Sequence, residues 1–463
     1  MSQASEKTYL FESAPIHQAV WTMALPTVVT QLINIVYNYA DTWYVGRTAN
    51  ADMVATLGVC FPIFVIMAAV ANLFGVGGSS MISRSLGEKK TDKARHVFAF
   101  AFWFGMLAAV VYMLIMIFFR EQIIYLVGGD DSTFHYVSKY IFWTMIIGAI
   151  PSVGNVLCGH LVRSIGASKE AGIGMSMGGI LNMILDPLFM FVILPKGHEI
   201  EGAAIATMLS NTIAFLYFLV YIVRYDKASK GEGVVTLHPR DISFKEGIVG
   251  DVLMIGLPAA LQTTFAMVSN IFANVLIRPY GSTAVAGMGV AKKINMIAFN
   301  TCMGMTMGIL PLLGYCYGAK NLDRMKRIIR YTGTVIMIFG CICTVMFRTF
   351  ADDIIRFFIN EPGSVNYGTQ FLKIIAFAAP LAALSYLVNT LFQATGRKKS
   401  SFVFSIMRKG ILDIPAMFVF RSVVGAVGVC LATPFAEVTS VVIAVVLYRR
   451  LTRHLQIEMA ATR

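Results

Sequence analysis

The stretch Ser85–Lys93, with the sequence SLGEKKTDK, returns in the second half of the chain as Cys316–Arg324, with the sequence CYGAKNLDR. A glycine, a lysine, an aspartate and a final basic residue occupy the same places in both copies. The copies lie 231 positions apart in a chain of 463 residues. This spacing indicates an internal duplication, in which each half of the chain is one copy of a structural unit.

Three further landmarks repeat in the same order and at nearly the same distance, between 230 and 232 positions. The pairs are Leu25-Pro26 with Leu257-Pro258, Leu57–Val59 with Met288–Val290, and Arg163–Gly166 with Ala394–Gly396. Four landmarks that keep one register make a chance match improbable. The sequence therefore predicts two copies of one fold within the chain.

The composition identifies the chain as an integral membrane protein. Hydrophobic residues make up 57% of it and charged residues only 14%, whereas a soluble domain carries about 25% charged residues. Most of its apolar runs exceed the roughly 20 residues that cross a bilayer as a helix. The alternating pattern of a membrane barrel is absent from the sequence, so we expect an all-α protein.

Breaks at polar residues, glycines and prolines predict twelve transmembrane helices. We expect a first lobe over residues 1–224, a cytoplasmic linker over 225–247 and a second lobe over 248–463. Six spans in each lobe give both lobes the same orientation, related by a pseudo-twofold axis along the membrane normal. The predicted spans are 18–45, 53–81, 96–119, 136–160, 170–194, 202–224, 248–278, 284–314, 328–348, 366–394, 401–421 and 424–448.

The basic residues give the orientation of the chain. With these spans, 25 lysines and arginines fall on one side of the membrane and 8 on the other. The positive-inside rule then places both termini in the cytoplasm. The same distribution accounts for the formal charge of +13 without a nucleic-acid partner. We expect a multi-pass protein of the plasma membrane, surrounded by lipid, with no cleaved signal peptide.

One face of the first span carries a stripe of polar residues. Asn34, Tyr37, Asn38 and Asp41 are spaced so that they lie on one side of a helix. An aspartate near the centre of a helix in lipid costs roughly 2.5 to 3.5 kcal/mol. The stripe therefore faces protein or a water-filled cavity, and Asp41 is a candidate functional residue.

A second polar group belongs to the fifth and sixth spans. Asn182 and Asp186 are four residues apart on one helix face, and Thr207 begins the sixth span at a similar depth. Burial favours the protonated form of a carboxyl group, and a second carboxylate nearby favours it further. Such a pair can exchange a proton, and its oxygens could also hold Na⁺.

The sequence resembles the multidrug and toxic compound extrusion (MATE) transporters, closest to the bacterial MepA-like and DinF-like branches. The resemblance covers essentially all the spans. It rests on Leu25-Pro26, the Asp41 span, Gly87 with Lys89 and Asp92, Arg163 with Gly166, Asn182 with Asp186-Pro187, Gly202–Thr207, Phe392–Gly396 and Ala432–Pro434.

The resemblance implies a V-shaped, two-lobed fold and a cation-driven drug antiporter. It matches Asp41, Asn182, Asp186 and Thr207 to a site for H⁺ or Na⁺, with Tyr37 in the same hydrogen-bond network. Asn155 matches a polar position. Pro26 removes a helical hydrogen bond, which produces either a fixed kink or a moving hinge, and the resemblance favours the hinge. Asn34 and Asn38 are then candidates for substrate contact.

The second half also carries charged residues in or near its spans: Lys292, Lys293, Arg408, Lys409, Asp413 and Glu437. Structural ion pairing or snorkelling is the simpler expectation for them. The seventh span has no acid between Leu257 and Arg278, which favours a cation site in the first lobe. Asp413 remains the candidate for a site in the second lobe.

We therefore expect a monomeric antiporter that exports cationic or amphipathic compounds in exchange for H⁺ or Na⁺, with no cofactor. A flippase for lipid-linked precursors is the alternative, and it would need a cavity rich in basic residues. An enzyme or an ATP-driven pump is disfavoured, because the sequence has no HExxH, GxSxG, CxxC or P-loop motif in or beside its spans.

Overall fold

The computed structural model describes residues 3–48, 50–229 and 233–460, and these residues are almost entirely helical. Lys230 and Arg463, which were counted above among the cytoplasmic basic residues, lie outside the described residues. The helices of the first half are α1 (Gln3–Glu12), α2 (Ile16–Gly46), α3 (Ala51–Gly87), α4 (Thr91–Leu126), α5 (Asp131–Ile141), α6 (Ala149–Ser164), α7 (Ser168–Leu188) and α8 (Glu199–Ala228).

The second half follows the same plan. Short π-helical segments join α5 to α6 over Phe142–Ile147, extend α7 over Phe189–Ile193, and join α15 to α16 over Met407–Asp413. The helices are α9 (Ile248–Ile277), α10 (Ser282–Gly318), α11 (Leu322–Thr349), α12 (Ala351–Phe358), α13 (Pro362–Ile375), α14 (Ala378–Ala394), α15 (Lys398–Ile406), α16 (Ile414–Val424) and α17 (Ala426–Ala460).

The helices confirm the predicted all-α membrane fold. Among the described residues, nine helices are long and apolar enough to cross a membrane, and eleven spans result if each bent pair is one span. The α5–α6 pair is bent by 51° and the α13–α14 pair by 44°. Each bent pair falls on one predicted span, the fourth and the tenth.

The remaining predicted span corresponds to Lys398–Val424, which α15, its π-helical segment and α16 form together. Every 18-residue window of this run contains Arg408, Lys409 and Asp413, so it is less apolar than the other spans. All three charged residues lie in the π-helical segment, which is a common place for functional distortions of a helix.

The lobes make close backbone contacts at a pair of glycines beside the basic loops. A Cβ atom on Gly87, at the end of α3, would overlap the carbonyl oxygen of Tyr315. A Cβ atom on Gly318, at the end of α10, would overlap the carbonyl oxygen of Arg84. Because Gly318 and Tyr315 are the repeat equivalents of Gly87 and Arg84, the contact is itself twofold symmetric.

Similar contacts join α3 to α9. A Cβ atom on Gly77 would overlap the carbonyl oxygen of Val252, and one on Gly256 would overlap that of Leu73. These residues lie in the half of α3 that leads to the basic loop and in the half of α9 that leaves the linker. The lobes are therefore closed against each other at the side that the charge distribution predicts to be cytoplasmic.

Helix α1 strengthens this closure. It precedes the first lobe in sequence, but its end packs on the second lobe. Arg324 donates hydrogen bonds to the carbonyl oxygens of Phe11 (2.8 Å) and Leu10 (3.1 Å). The Tyr315 hydroxyl donates to the Glu12 carboxylate at 2.6 Å, and the Tyr315 ring stacks on Phe11 at 4.7 Å between centroids. The chain thus crosses from lobe to lobe at both α1 and the linker.

The described part of the linker is bound to the first lobe. Asp241 accepts hydrogen bonds from Arg95 (2.9 Å) and Thr236 (2.6 Å), and its carbonyl oxygen lies 2.7 Å from His96. Although partial burial opposes the effect, these bonds lower the pKa of the Asp241 carboxyl. Trp103 donates to the carbonyl oxygen of Leu237 at 3.2 Å. The linker therefore runs along α4 instead of spanning freely between the lobes.

The glycine contacts can be tested with one matched pair in α10. Replacement of Gly318 by Ala should destabilise the closed lobes, because the added methyl group meets backbone atoms; such overpacking costs about 1 to 3 kcal/mol. Gly289→Ala is the control, since a Cβ atom there has no neighbour within 4 Å. We expect a lower apparent melting temperature in detergent for Gly318→Ala only. Equal melting temperatures would show that the glycine contact does not contribute.

Candidate functional site

A cavity of about 400 Å³ lies inside the first lobe, between α2, α3, α6, α7 and α8. Its wall combines apolar side chains with most of the polar residues that the sequence singled out. The predicted site residues in the wall are Asn34, Tyr37, Asn38, Asp41, Asn155, Asn182 and Thr207. The predicted stripe of α2 therefore faces a cavity, as the cost of exposing it to lipid requires.

Asn182 organises the inner wall of this cavity. Its amide nitrogen donates to a carboxylate oxygen of Asp186 and to the hydroxyl oxygen of Thr207, both at 3.0 Å. Asp186 is fully buried and Asn182 and Thr207 are nearly so. The i, i+4 spacing on α7 and the start of α8 thus join three residues into one network, as the sequence predicted.

Asp41 completes the group from the opposite helix. It is buried, with 9% of its surface exposed, although its neighbours on α2 are more open. Its charge and that of Asp186 act on each other and on the hydroxyl groups of Tyr37 and Tyr140. Two carboxyl groups from two helices therefore share one enclosed environment.

The acceptor atoms of this cluster are incompletely used. Among the described residues, Asp41 Oδ1, Asn182 Oδ1, Asp186 Oδ2 and Asn155 Oδ1 are buried and have no hydrogen-bond donor. A buried acceptor without a donor costs about 1 to 3 kcal/mol, and more when it is charged. Protonation of a carboxyl group would supply a donor, and oxygen atoms of this kind also suit a hard cation such as Na⁺.

Three residues near the cavity escaped the sequence analysis: Tyr140, Ser152 and Asn211. Asn155 donates to the side-chain oxygen of Asn211 at 3.2 Å, and Asn211 donates to the carbonyl oxygen of Thr207 at 2.9 Å. Asn211 lies four residues after Thr207 on α8, so the helical spacing that joined Asn182 to Asp186 could also have identified it.

Pro26 lies outside the cavity wall, within an unbroken α2. A Cβ atom on Gly172 of α7 would approach the Pro26 ring at 2.6 Å, so the proline is seated directly against that helix. The Thr30 hydroxyl, one turn further on, donates to the Pro26 carbonyl oxygen at 2.9 Å and lies 3.0 Å from the Ser176 hydroxyl. Any bend at Pro26 must therefore move α2 against α7.

Asp413 belongs to a separate cluster in the second lobe. Its carboxylate accepts hydrogen bonds from Ser269 (2.6 Å) and Lys409 (3.0 Å). Arg408 and Glu437 form a buried ion pair with contacts between 2.8 and 3.0 Å. The expected structural ion pairs are thus present, and Asp413 makes no contact with the first-lobe cluster.

The MatE family model matches the chain twice, over residues 26–188 and 258–419. The chain belongs to the MatE family. Both matches begin at the prolines of the repeat, Pro26 and Pro258. Membership confirms the resemblance that the sequence motifs indicated, and it identifies a transport protein and not an enzyme.

Relatives of this MatE protein align over nearly its whole length. Multidrug export protein MepA of Staphylococcus saprophyticus is 27% identical, with 98% of each chain covered. MepA of Staphylococcus aureus strain MRSA252 is 26% identical, with 93% of each chain covered. Both relatives are named as multidrug exporters, and they span the same two lobes.

Solved structures confirm the fold. MATE in a bent conformation matches with a TM-score of 0.89 at 21% identity, over 99% of this chain and 100% of that one. The outward-facing conformation of a multidrug resistance MATE transporter matches with a TM-score of 0.88 at 22% identity, over 96% and 98% of the two chains. The twelve-helix, two-lobed membrane architecture is therefore shown.

The hydrogen bonds around Asn182 can be tested with two isosteric changes in α8. Thr207→Val removes the hydroxyl that Asn182 uses, which should cost about 1 to 3 kcal/mol and lower the apparent melting temperature. Thr212→Val is the control, because the Thr212 hydroxyl donates only within its own helix, to the Met208 carbonyl oxygen and sulfur. If the two variants have the same apparent melting temperature, the hydrogen bonds around Asn182 do not stabilise the lobe.

Proposed function

We propose that this MatE protein exports cationic or amphipathic compounds in exchange for H⁺ or Na⁺, which binds among Asp41, Asn182, Asp186 and Thr207. The observation that supports this proposal most strongly is the enclosed pair of carboxyl groups, each of which has one buried oxygen without a hydrogen-bond donor among the described residues. The names of the MepA relatives support drug export as the activity. The ion is a transported cargo in this proposal, and the protein needs no cofactor.

The paired carboxyl groups explain how an ion could be taken up and released. Two neighbouring carboxylates in a low-dielectric site do not both remain charged at low cost, so the site favours one proton or one cation. When the cavity opens toward the cytoplasm, the ion can leave down its gradient. One charge moving across 100 mV supplies about 2.3 kcal/mol, enough for roughly a fifty-fold gradient of a neutral solute.

The cavity wall suits an amphipathic cation. Phe61, Phe64, Met67 and Met175 provide apolar and polarisable surface beside the Asp41 carboxylate. Aromatic faces attract cations, and methionine adapts to ligands of different shape. A volume of about 400 Å³ falls within the range of about 300 to 1,000 Å³ that is usual for ligand sites. Substrate and coupling ion would then compete for the same carboxylates.

The helix contacts suggest how the ion displaces the drug. Ion binding would neutralise the carboxylates and shift α2 near Pro26, against Gly172 and Ser176 of α7. This movement would narrow the cavity and expel the drug. The lobes would then separate at the Gly87–Gly318 contact and open the site to the cytoplasm. In this scheme both termini are cytoplasmic and a monomer in the plasma membrane suffices.

A flippase for lipid-linked precursors is the less favoured candidate. Its pyrophosphate substrate needs basic side chains, and the described lining of the first-lobe cavity contains no lysine or arginine. The same lining contains Asp41, which would repel a pyrophosphate. The positive-inside distribution accounts for the net positive charge, so no nucleic-acid partner is proposed.

Drug efflux from proteoliposomes under separately imposed pH and Na⁺ gradients tests the proposal. Asp41→Asn and Asp186→Asn should each reduce gradient-driven efflux by at least about fivefold, because a drug–ion coupling of about 1 to 3 kcal/mol depends on the ion site. Asp131→Asn is the control, since Asp131 is an exposed carboxylate of the first lobe that does not line the cavity. Wild-type rates in both the Asp41 and the Asp186 variant would remove these residues from coupling.

A further inference from the structure

The second lobe contains a repeat counterpart of the first-lobe site, built from different side chains. Thr433 of α17 is equivalent to Thr207, since Gly428–Thr433 repeats the pattern of Gly202–Thr207. Ser269 and Asn270 of α9 are equivalent to Tyr37 and Asn38 by the offset of Pro26 and Pro258. The position of Asp41 is taken by Ala273. The symmetric fold thus places a second group of polar residues where the first lobe has its cavity.

Lys292 of α10 is the cation of this second group. By the offset of Gly58 and Gly289 it is equivalent to Phe61, which lines the first-lobe cavity. Its ammonium group donates to the side-chain oxygen of Asn270 at 3.1 Å. The second lobe therefore has a positively charged hydrogen-bond donor at the position where the first lobe has the apolar side chain of Phe61.

The neighbouring charges of this lobe are already balanced. Arg408 pairs with Glu437, and Lys409 pairs with Asp413 at 3.0 Å. Asp413 is the acid whose charge acts on Lys292, but Lys409, Ser269 and Thr433 already donate to it. Among the described residues, no carboxylate lies within 4 Å of the Lys292 ammonium group. Two neutral pairs and one lysine leave this cluster with one positive charge.

Snorkelling does not explain Lys292. It lies ten residues after Ser282, the first residue of α10, which is about 15 Å along the helix at 1.5 Å per residue. The next residue, Lys293, accepts a hydrogen bond at its carbonyl oxygen from the Tyr39 hydroxyl at 2.8 Å. Tyr39 lies two residues from Asp41 on α2, so Lys292 is at the level of the first-lobe site.

An unbalanced cation at this depth is costly and marks a functional site by default. We propose that Lys292, assisted by Asn270, binds the carboxylate of transported zwitterionic amphiphiles. This inference rests on the proposed function and extends its substrate class. The acidic first-lobe wall receives the ammonium or other cationic group, and the basic second-lobe wall receives the carboxylate. A zwitterion would thus bridge the two lobes, whereas a simple cation would contact the first lobe only.

Two dyes that differ only in esterification separate these two modes of binding. Rhodamine B carries a carboxylate beside its cationic ring system, and its ethyl ester carries the cation alone. In efflux from proteoliposomes, Lys292→Gln should raise the apparent KM for rhodamine B by about tenfold or more, because a hydrogen bond to a charged group contributes about 1.5 to 3 kcal/mol. The KM for the ethyl ester should stay within about twofold of wild type.

Two further variants complete the experiment. Lys292→Arg should restore rhodamine B efflux, because it keeps the charge and the donors. Lys373→Gln removes an exposed lysine of the same lobe and should change neither KM. Efflux of the ethyl ester by each variant shows that it is folded and active.

The outcomes distinguish the two proposals. If wild-type protein exports neither dye under either gradient, the proposed drug export fails. If it exports both and Lys292→Gln changes the two KM values equally, or leaves both unchanged, the carboxylate site is overturned. A selective loss of rhodamine B affinity that Arg restores supports it.

Discussion

The arrangement of the first lobe depends on the cost of enclosing two carboxyl groups in a helical bundle that lipid surrounds. Asp41 and Asp186 come from different helices and share one environment, in which Asn182 donates a hydrogen bond to Asp186. One buried oxygen of each carboxyl group has no donor among the described residues. Because a buried carboxylate without a partner is costly in free energy, binding of a proton or a cation would stabilise the site. The proposed coupling of ion entry to drug exit follows from that stabilisation.

The helices around this site are arranged with twofold symmetry, but the side chains of the two lobes differ. Gly87 and Gly318 make equivalent contacts across the lobes, which lets two long helices touch through their backbones. The polar positions also recur, but the first lobe places an acid where the second has Ala273, and the second places Lys292 where the first has Phe61. Duplication thus gives two groups of polar residues in equivalent positions, while substitution makes the first group acidic and the second basic.

The two-lobed helical membrane fold could be predicted from the sequence, because the internal repeat indicates the duplication and the hydropathy indicates the transmembrane helices. The helical spacing also placed Asn182 beside Asp186 and identified the stripe that contains Asp41. The contribution of Tyr140 depends on how α5 packs against α3 and α8, which no local pattern encodes. The sequence also could not predict that Lys292 has no carboxylate partner among the described residues. This depends on the ion pairs that Arg408 and Lys409 form with Glu437 and Asp413.

Calorimetric binding of a cationic drug to purified protein, across a range of pH and Na⁺ concentration, tests most directly whether the coupling ion binds in the first lobe. In wild-type protein the affinity for drug should fall as H⁺ or Na⁺ rises, because drug and ion compete for the same carboxylates. The double variant Asp41→Asn, Asp186→Asn should lose this dependence, and Asp413→Asn should keep it. Dependence that survives in the double variant, or that disappears in Asp413→Asn, would contradict the account.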